Sequence, residues 1–133
     1  MSRQRTSRPQ GEMKTCASCG REMAWRAEWS AVWDEVKYCS AACRARKVTA
    51  KDRELEDAIV ALLVSRTAKD TIGPADAARA VGGEDWRELR ESARRAARRL
   101  VAAGVVEIVQ DGRVVDPSTA KGDIRIRRRL PAG

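Results

Sequence analysis

Four cysteines constrain this chain more than any other feature. Cys16-x2-Cys19 and Cys39-x3-Cys43 form two close pairs with 19 residues between them, and no other cysteine occurs. Two such pairs separated by a short stretch are the pattern of a tetrahedral four-thiolate site. Zn²⁺ has no d-electron preference for geometry and takes soft sulfur ligands at about 2.3 Å. A Cys-x-x-Cys loop turns tightly enough for both sulfurs to reach one ion, and Gly20 directly after it permits the bend. Lys37-Tyr38-Cys39-Ser40 reads as a strand end running into a helix start, with Cys39 or Ser40 near the cap. Cys39 and Cys43 then lie one turn apart, where the helix dipole favours thiolates. With all four positions filled by protein, no place remains for water, so the expected cofactor is one structural zinc ion. A redox pair or an iron–sulfur cluster are the alternatives; the Cys-x3-Cys spacing and the complete ligand count favour zinc over both.

The 133 residues suffice for one ordinary domain or two very small ones, and a very small one needs a staple of this kind. The texture changes along the chain. Residues 1–13 are polar, with Arg3, Arg5 and Arg8, and read as a disordered basic arm. Residues 14–48 hold all the cysteines and three of the four tryptophans and read as a four-cysteine zinc-binding module, a small zinc finger of treble-clef or zinc-ribbon type. Trp25, Trp29, Val32, Trp33 and Val36 recur at helical spacing and are assigned to that module's core, with an aromatic surface for a partner as the alternative.

Residues 49–130 carry a mainly α winged helix-turn-helix pattern (α+β). Leu55, Ala58, Ile59, Leu62 and Leu63 mark an amphipathic helix, capped by Thr49 and Asp52. Gly73-Pro74 opens a second helix and Gly82-Gly83 closes it. Asp85 with Glu88 predicts the start of a third, ending at Gly104. Val105 to Gln110 reads as a strand, Asp111-Gly112 as a two-residue hairpin turn and Arg113 to Asp116 as the return strand. Ile124 to Arg127 is a further short strand, and Ile72 could complete the sheet. A helix-turn-helix lays its later helix in the DNA major groove, and the hairpin would be the wing.

Lys and Arg number 27 against 19 Asp and Glu, a net charge of +8 that favours polyanionic partners. On the third helix Trp86, Leu89, Ala93, Ala96, Ala97 and Leu100 fall on one side, and Arg87, Arg94 and Arg98 line an opposite flank with Arg95 and Arg99 beyond. Such a row can contact phosphates or guanine edges. Its alternative is a solvated face paired with Glu88 and Glu91. Arg113 beside the wing turn and Arg125, Arg127, Arg128 and Arg129 near the end could add phosphate contacts. No apolar stretch follows the basic first residues and no run approaches the ~20 residues of a membrane span, so a cytoplasmic protein without a membrane partner is expected. The chain has no His, and Glu107, Asp116 and Asp123 show no catalytic spacing. An enzyme or a small-molecule substrate is therefore not expected.

The stretch from Lys14-Thr-Cys-Ala-Ser-Cys-Gly-Arg through Lys37-Tyr-Cys-Ser-Ala-Ala-Cys-Arg44 resembles a family of very small, uncharacterised bacterial zinc proteins. Residues 54–127 resemble a second uncharacterised bacterial family with a winged-helix look, carried by Leu55-Glu-Asp-Ala-Ile59, Arg94-Arg-Ala-Ala-Arg-Arg-Leu100 and Val114-Val-Asp-Pro117. The resemblance implies a fusion of two domains and brings no activity with it. The Tyr38-Cys-Ser-x-x-Cys43 ending also resembles treble-clef fingers and small zinc-finger inhibitors of DNA gyrase, which implies that such a module can dock on a protein. Two functions are thus expected to compete. One is an accessory or regulatory protein that binds nucleic acid, DNA above all. The other is an adaptor that docks on a nucleic-acid enzyme or the ribosome.

Overall fold

The computed structural model describes residues 12–130. The expected basic arm lies, except for its last two residues, outside them. The first half opens with a small antiparallel hairpin of β1 (Met13–Thr15) and β2 (Glu22–Ala24), in the register Lys14 opposite Met23. Helix α1 (Ala41–Arg46) follows after two 3-10 turns, Ala27–Trp29 and Trp33–Glu35. The tryptophan stripe therefore does not make one continuous helix. A helix over 25–36 would run about 18 Å and carry the chain away from the first cysteine pair, to which Cys39 has to return. Trp33 alone is fully buried; Trp29 stacks on it at 5.8 Å with one face left toward a groove, and Val32 is exposed. Lys14 lies over the Trp33 ring and donates to the Trp33 and Val36 carbonyls.

The second half is a winged-helix arrangement of α2 (Ala50–Val64), β3 (Thr71–Ile72), α3 (Pro74–Gly82), α4 (Arg90–Ala102), β4 (Val106–Gln110), β5 (Arg113–Val114) and β6 (Arg125–Arg128). The ends of α2 and α4 are chemically explicit. Thr49 and Asp52 satisfy each other's backbone N–H at the start of α2. At the end of α4, Val105 N–H donates to the Leu100 carbonyl and Gly104 N–H to that of Val101, a Schellman closure with Gly104 at φ 81°. The start of α4 differs from expectation. Gly83–Leu89 is a 3-10 segment kinked at Asp85, and the helix proper begins at Arg90 without a side-chain cap. The tight turn brings Leu89 onto Gly82, where a Cβ would sit 2.8 Å from Leu89 Cδ1.

The sheet order is β3-β6-β4-β5, all antiparallel. The last short strand, β6, is thus an interior one. Ile126 on β6 lies between Ile72 and Ile108, and all three are buried. The turn at Asp111-Gly112 has positive φ at both residues, as the hairpin signal requires. One core joins Leu55, Ile59 and Leu63 of α2 to Ala77 and Ala78 of α3, to Ala93, Ala96, Ala97 and Leu100 of α4, and to the sheet. Alanine on the facing stripes lets the helices approach closely. Among the described residues no helix is long and apolar enough to cross a membrane. Leu63 is fully buried while Leu62 is only partly so. Leu63→Ala should therefore lower stability in urea unfolding by about 2–5 kcal/mol, and Leu62→Ala by less than that range.

Candidate metal centre

The hairpin and α1 bring the four cysteines together. Cys16 follows β1 directly, and its N–H pairs with the Arg21 carbonyl while its own carbonyl takes the Gly20 N–H at 3.0 Å, which closes the Cys16–Cys19 knuckle. Gly20 stands at φ 78° and completes the bend. Ala17 N–H donates to the Lys37 carbonyl at 2.8 Å and so ties the second pair to the first. Ser40 caps α1 by accepting from Cys43 N–H at 3.1 Å. Cys39 therefore precedes the helix and only Cys43 lies within it.

All four sulfurs lie within 4.8 Å of one another. Cys39 Sγ is 3.7 Å from both Cys19 Sγ and Cys43 Sγ. A tetrahedron with metal–sulfur bonds of 2.3 Å has edges of about 3.8 Å, so these separations fit a four-thiolate site. They are far beyond a disulfide bond, and all four cysteines are free. The surroundings also favour thiolate sulfur. The N–H groups of Cys19 and Cys39 point at Cys16 Sγ at 3.5 and 3.4 Å, and Arg46 Nη1 approaches Cys43 Sγ at 3.4 Å. Burial opposes ionisation of Cys16, but the N–H donors from Cys19, Cys39 and Ser18 outweigh it and lower its pKa to about 6. Burial raises Cys19, and burial with the neighbouring sulfurs of Cys43 and Cys19 pushes Cys39 up to about 12.

The knuckle is seated on α4. Arg98 Nε donates to the Cys19 carbonyl at 2.6 Å and Arg99 Nη1 to the Ser18 carbonyl at 2.7 Å. Arg99 Nε is paired with Glu56 at 2.6 Å, and its Nη2 faces the Asp52 carbonyl at 3.4 Å. Arg98 and Arg99 are only 3% and 9% exposed. Burial, with the like charge of Arg21 behind it, lowers the Arg98 pKa, and Glu91 at 3.5 Å opposes that. The fit has no slack, since a Cβ on Gly20 would fall 2.5 Å from Arg98 Cβ and 2.7 Å from the Arg99 nitrogen. Glu22 N–H adds a tie to Ser118 Oγ in the wing at 2.8 Å.

This corrects the expectation of an open arginine row on α4. Arg98 is enclosed by the knuckle and faces no solvent. Arg94 donates to the Gly122 carbonyl in the wing and Arg95 to Ser92 Oγ. Arg125 binds Thr71, Arg127 pairs with Glu107 at 2.8 Å, and Arg128 donates to the Arg66 carbonyl. Arg87 is exposed with its guanidinium over Trp86, and Arg113 is exposed beside the wing turn. The contributions of Arg98, Arg99, Glu56 and Ser18 to the seat of the metal site were missed in the sequence. The signal was two arginines directly bordering the alanine stripe of α4, where a charged side chain has to find buried partners.

Metal binding should release protons in a defined way. Cys16 is a thiolate above about pH 6, whereas Cys19 and Cys39 hold protons that a metal has to displace. At least two protons should therefore leave per ion near neutral pH, and the apparent affinity should rise with pH. Calorimetric titration of the metal-free protein in two buffers of different ionisation enthalpy measures both.

Comparison with known proteins divides the chain at the same place as its chemistry. Residues 7–46, which include all four cysteines, match the family described as uncharacterized protein conserved in bacteria (DUF2256). Residues 52–129, the winged-helix part, match the family described as protein of unknown function (DUF3253). No curated protein matches the chain. The second match covers more than half of the sequence, and the chain belongs to the DUF3253 family, with an adjoining DUF2256 domain ahead of it.

Proposed function

We propose that the chain is a cytoplasmic, zinc-stapled accessory protein, not an enzyme, that grips the backbone of duplex nucleic acid, DNA above all. The observation that carries this reading is the placement of three exposed arginines. Among the described residues, Arg87, Arg90 and Arg113 are exposed and have no carboxylate partner. They stand at the head of α4 and at the wing turn, the two places where a winged helix meets a duplex. The wing is held to α4 by Arg94 on the Gly122 carbonyl, and Gln110 at the end of β4 donates to the Lys121 and Asp123 carbonyls on either side of that glycine. Helix head and wing can therefore act as one surface. Zinc is the ion that best suits four closed thiolates and no open position.

The contact is with phosphates rather than bases. The knuckle covers the middle of α4, and only its first turn, at Arg90 and Glu91, and its last residues are open. The exposed Glu84, Asp85 and Glu88 beside Arg87 also weaken anion attraction at the helix head, which keeps affinity modest. The adaptor reading is favoured by a different feature, an open groove of about 920 Å³ beside Trp29, Val32, Val36 and Tyr38 that could receive a partner protein.

Fluorescence anisotropy with random duplex across a salt series separates the two. Replacing Arg87, Arg90 and Arg113 together by alanine should flatten log affinity against log salt by about 2.7 units, roughly 0.9 per lost phosphate contact. Wild type that does not bind duplex at moderate salt would leave the adaptor reading in place.

A further inference from the structure

The four sulfurs of the metal centre are not equivalent, and the difference points to chemistry at one of them. Cys16, Cys19 and Cys43 are buried, whereas Cys39 is partly exposed. Cys39 also forms part of the wall of the open groove, together with Tyr38, Ser40, Val36 and Arg44. A small reagent in the groove therefore meets Cys39 and none of the other three. The hydrogen bonding is unequal in the same direction. Cys16 Sγ receives the backbone N–H groups of Cys19, Cys39 and Ser18, Cys19 Sγ the N–H of Arg21, and Cys43 Sγ the Arg46 guanidinium. Among the described residues, no N–H donates to Cys39 Sγ. N–H donors withdraw electron density from a thiolate and lower its nucleophilicity, so Cys39 keeps the most.

We propose that Cys39 is the modification site of the metal centre, where peroxides and soft electrophiles attack first and open it. This rests on the zinc reading, because metal coordination is what keeps Cys39 a thiolate at neutral pH. The charged groups around the groove are Asp34, Glu35, Lys37 and Arg44, two of each sign, which suits small uncharged reagents such as hydrogen peroxide. In the oxidative step the Cys39 sulfur attacks one peroxide oxygen, the O–O bond breaks and hydroxide leaves, which gives a sulfenic acid. The thiolate of Cys19 or Cys43, each 3.7 Å away, then attacks the Cys39 sulfur. An S–S bond forms and a second hydroxide leaves. Two thiolates have lost one electron each and the peroxide has taken up two. Two of the four ligands are then gone, so the ion is released and the knuckle loses its closure. Cys39 thereby couples an oxidant to the seat of α4.

The test uses the full chain as purified, with its zinc content measured on the same sample. Sub-stoichiometric N-ethylmaleimide, and separately hydrogen peroxide, are added with a zinc-sensitive dye present, and modified cysteines are mapped by peptide mass spectrometry. The first label should fall on Cys39, zinc release should track that label, and peroxide should give a disulfide containing Cys39. A zinc-loaded chain whose first label falls on Cys16, Cys19 or Cys43 would overturn the assignment of Cys39 while leaving the zinc reading intact. A chain purified without metal would overturn the zinc reading itself and the proposal with it.

Discussion

Two adjacent guanidinium groups hold the two halves of this protein together. Arg98 and Arg99 reach from the middle of α4 to the carbonyls of Cys19 and Ser18, the backbone of the first cysteine pair. Charge-assisted bonds of this kind contribute roughly 1.5–3 kcal/mol each. The arrangement is also asymmetric. Arg99 is held by Glu56 at 2.6 Å as well, whereas Arg98 has only the longer Glu91 contact at 3.5 Å beside its carbonyl. The knuckle has its shape because two cysteine pairs converge, and α4 is seated because the knuckle has that shape. The sulfur cluster and the winged helix are consequently one energetic unit, although two separate families meet in the sequence.

The same pairing explains why a net charge of +8 says less about partners than its size suggests. Arginine carries five donors in a rigid fork, and here the forks are largely spent on carbonyls. Arg94 closes the wing on Gly122, Arg125 binds the Thr71 carbonyl, and Arg128 binds that of Arg66. Arg127 spends its charge on Glu107 across the sheet. Among the described residues, the set proposed to meet a polyanion is the short one at the helix head and wing turn, with Arg21, Arg44 and Arg129 exposed elsewhere, and the proposed contact is correspondingly shallow.

Local chemistry was the legible part of the sequence. The α2 capping box, Pro74 at the first turn of α3, the Gly104 closure and the Asp111-Gly112 turn each depend on residues within five positions of one another. The cysteine spacing was legible for the same reason, because a metal site imposes its geometry on the chain wherever the ligands lie. What depended on distant partners was not. Ile126 became interior only through pairing with Ile72 and Ile108, far away in sequence. The periodicity of Trp25, Trp29 and Trp33 was real, but the need to return Cys39 to the knuckle broke the helix into two turns. Arg98 looked solvent-facing because a helical projection of α4 contains no trace of the hairpin that covers it.

The coupling between metal and helix is tested most directly by amide hydrogen exchange on the full chain, with metal bound and after chelation. Removal of the ion should speed exchange at residues 14–47 and also within α4 from Ala93 to Leu100, where Arg98 and Arg99 lose their fixed acceptors, with a smaller change in α3. Faster exchange confined to residues 14–47, with α4 as protected as before, would contradict the account.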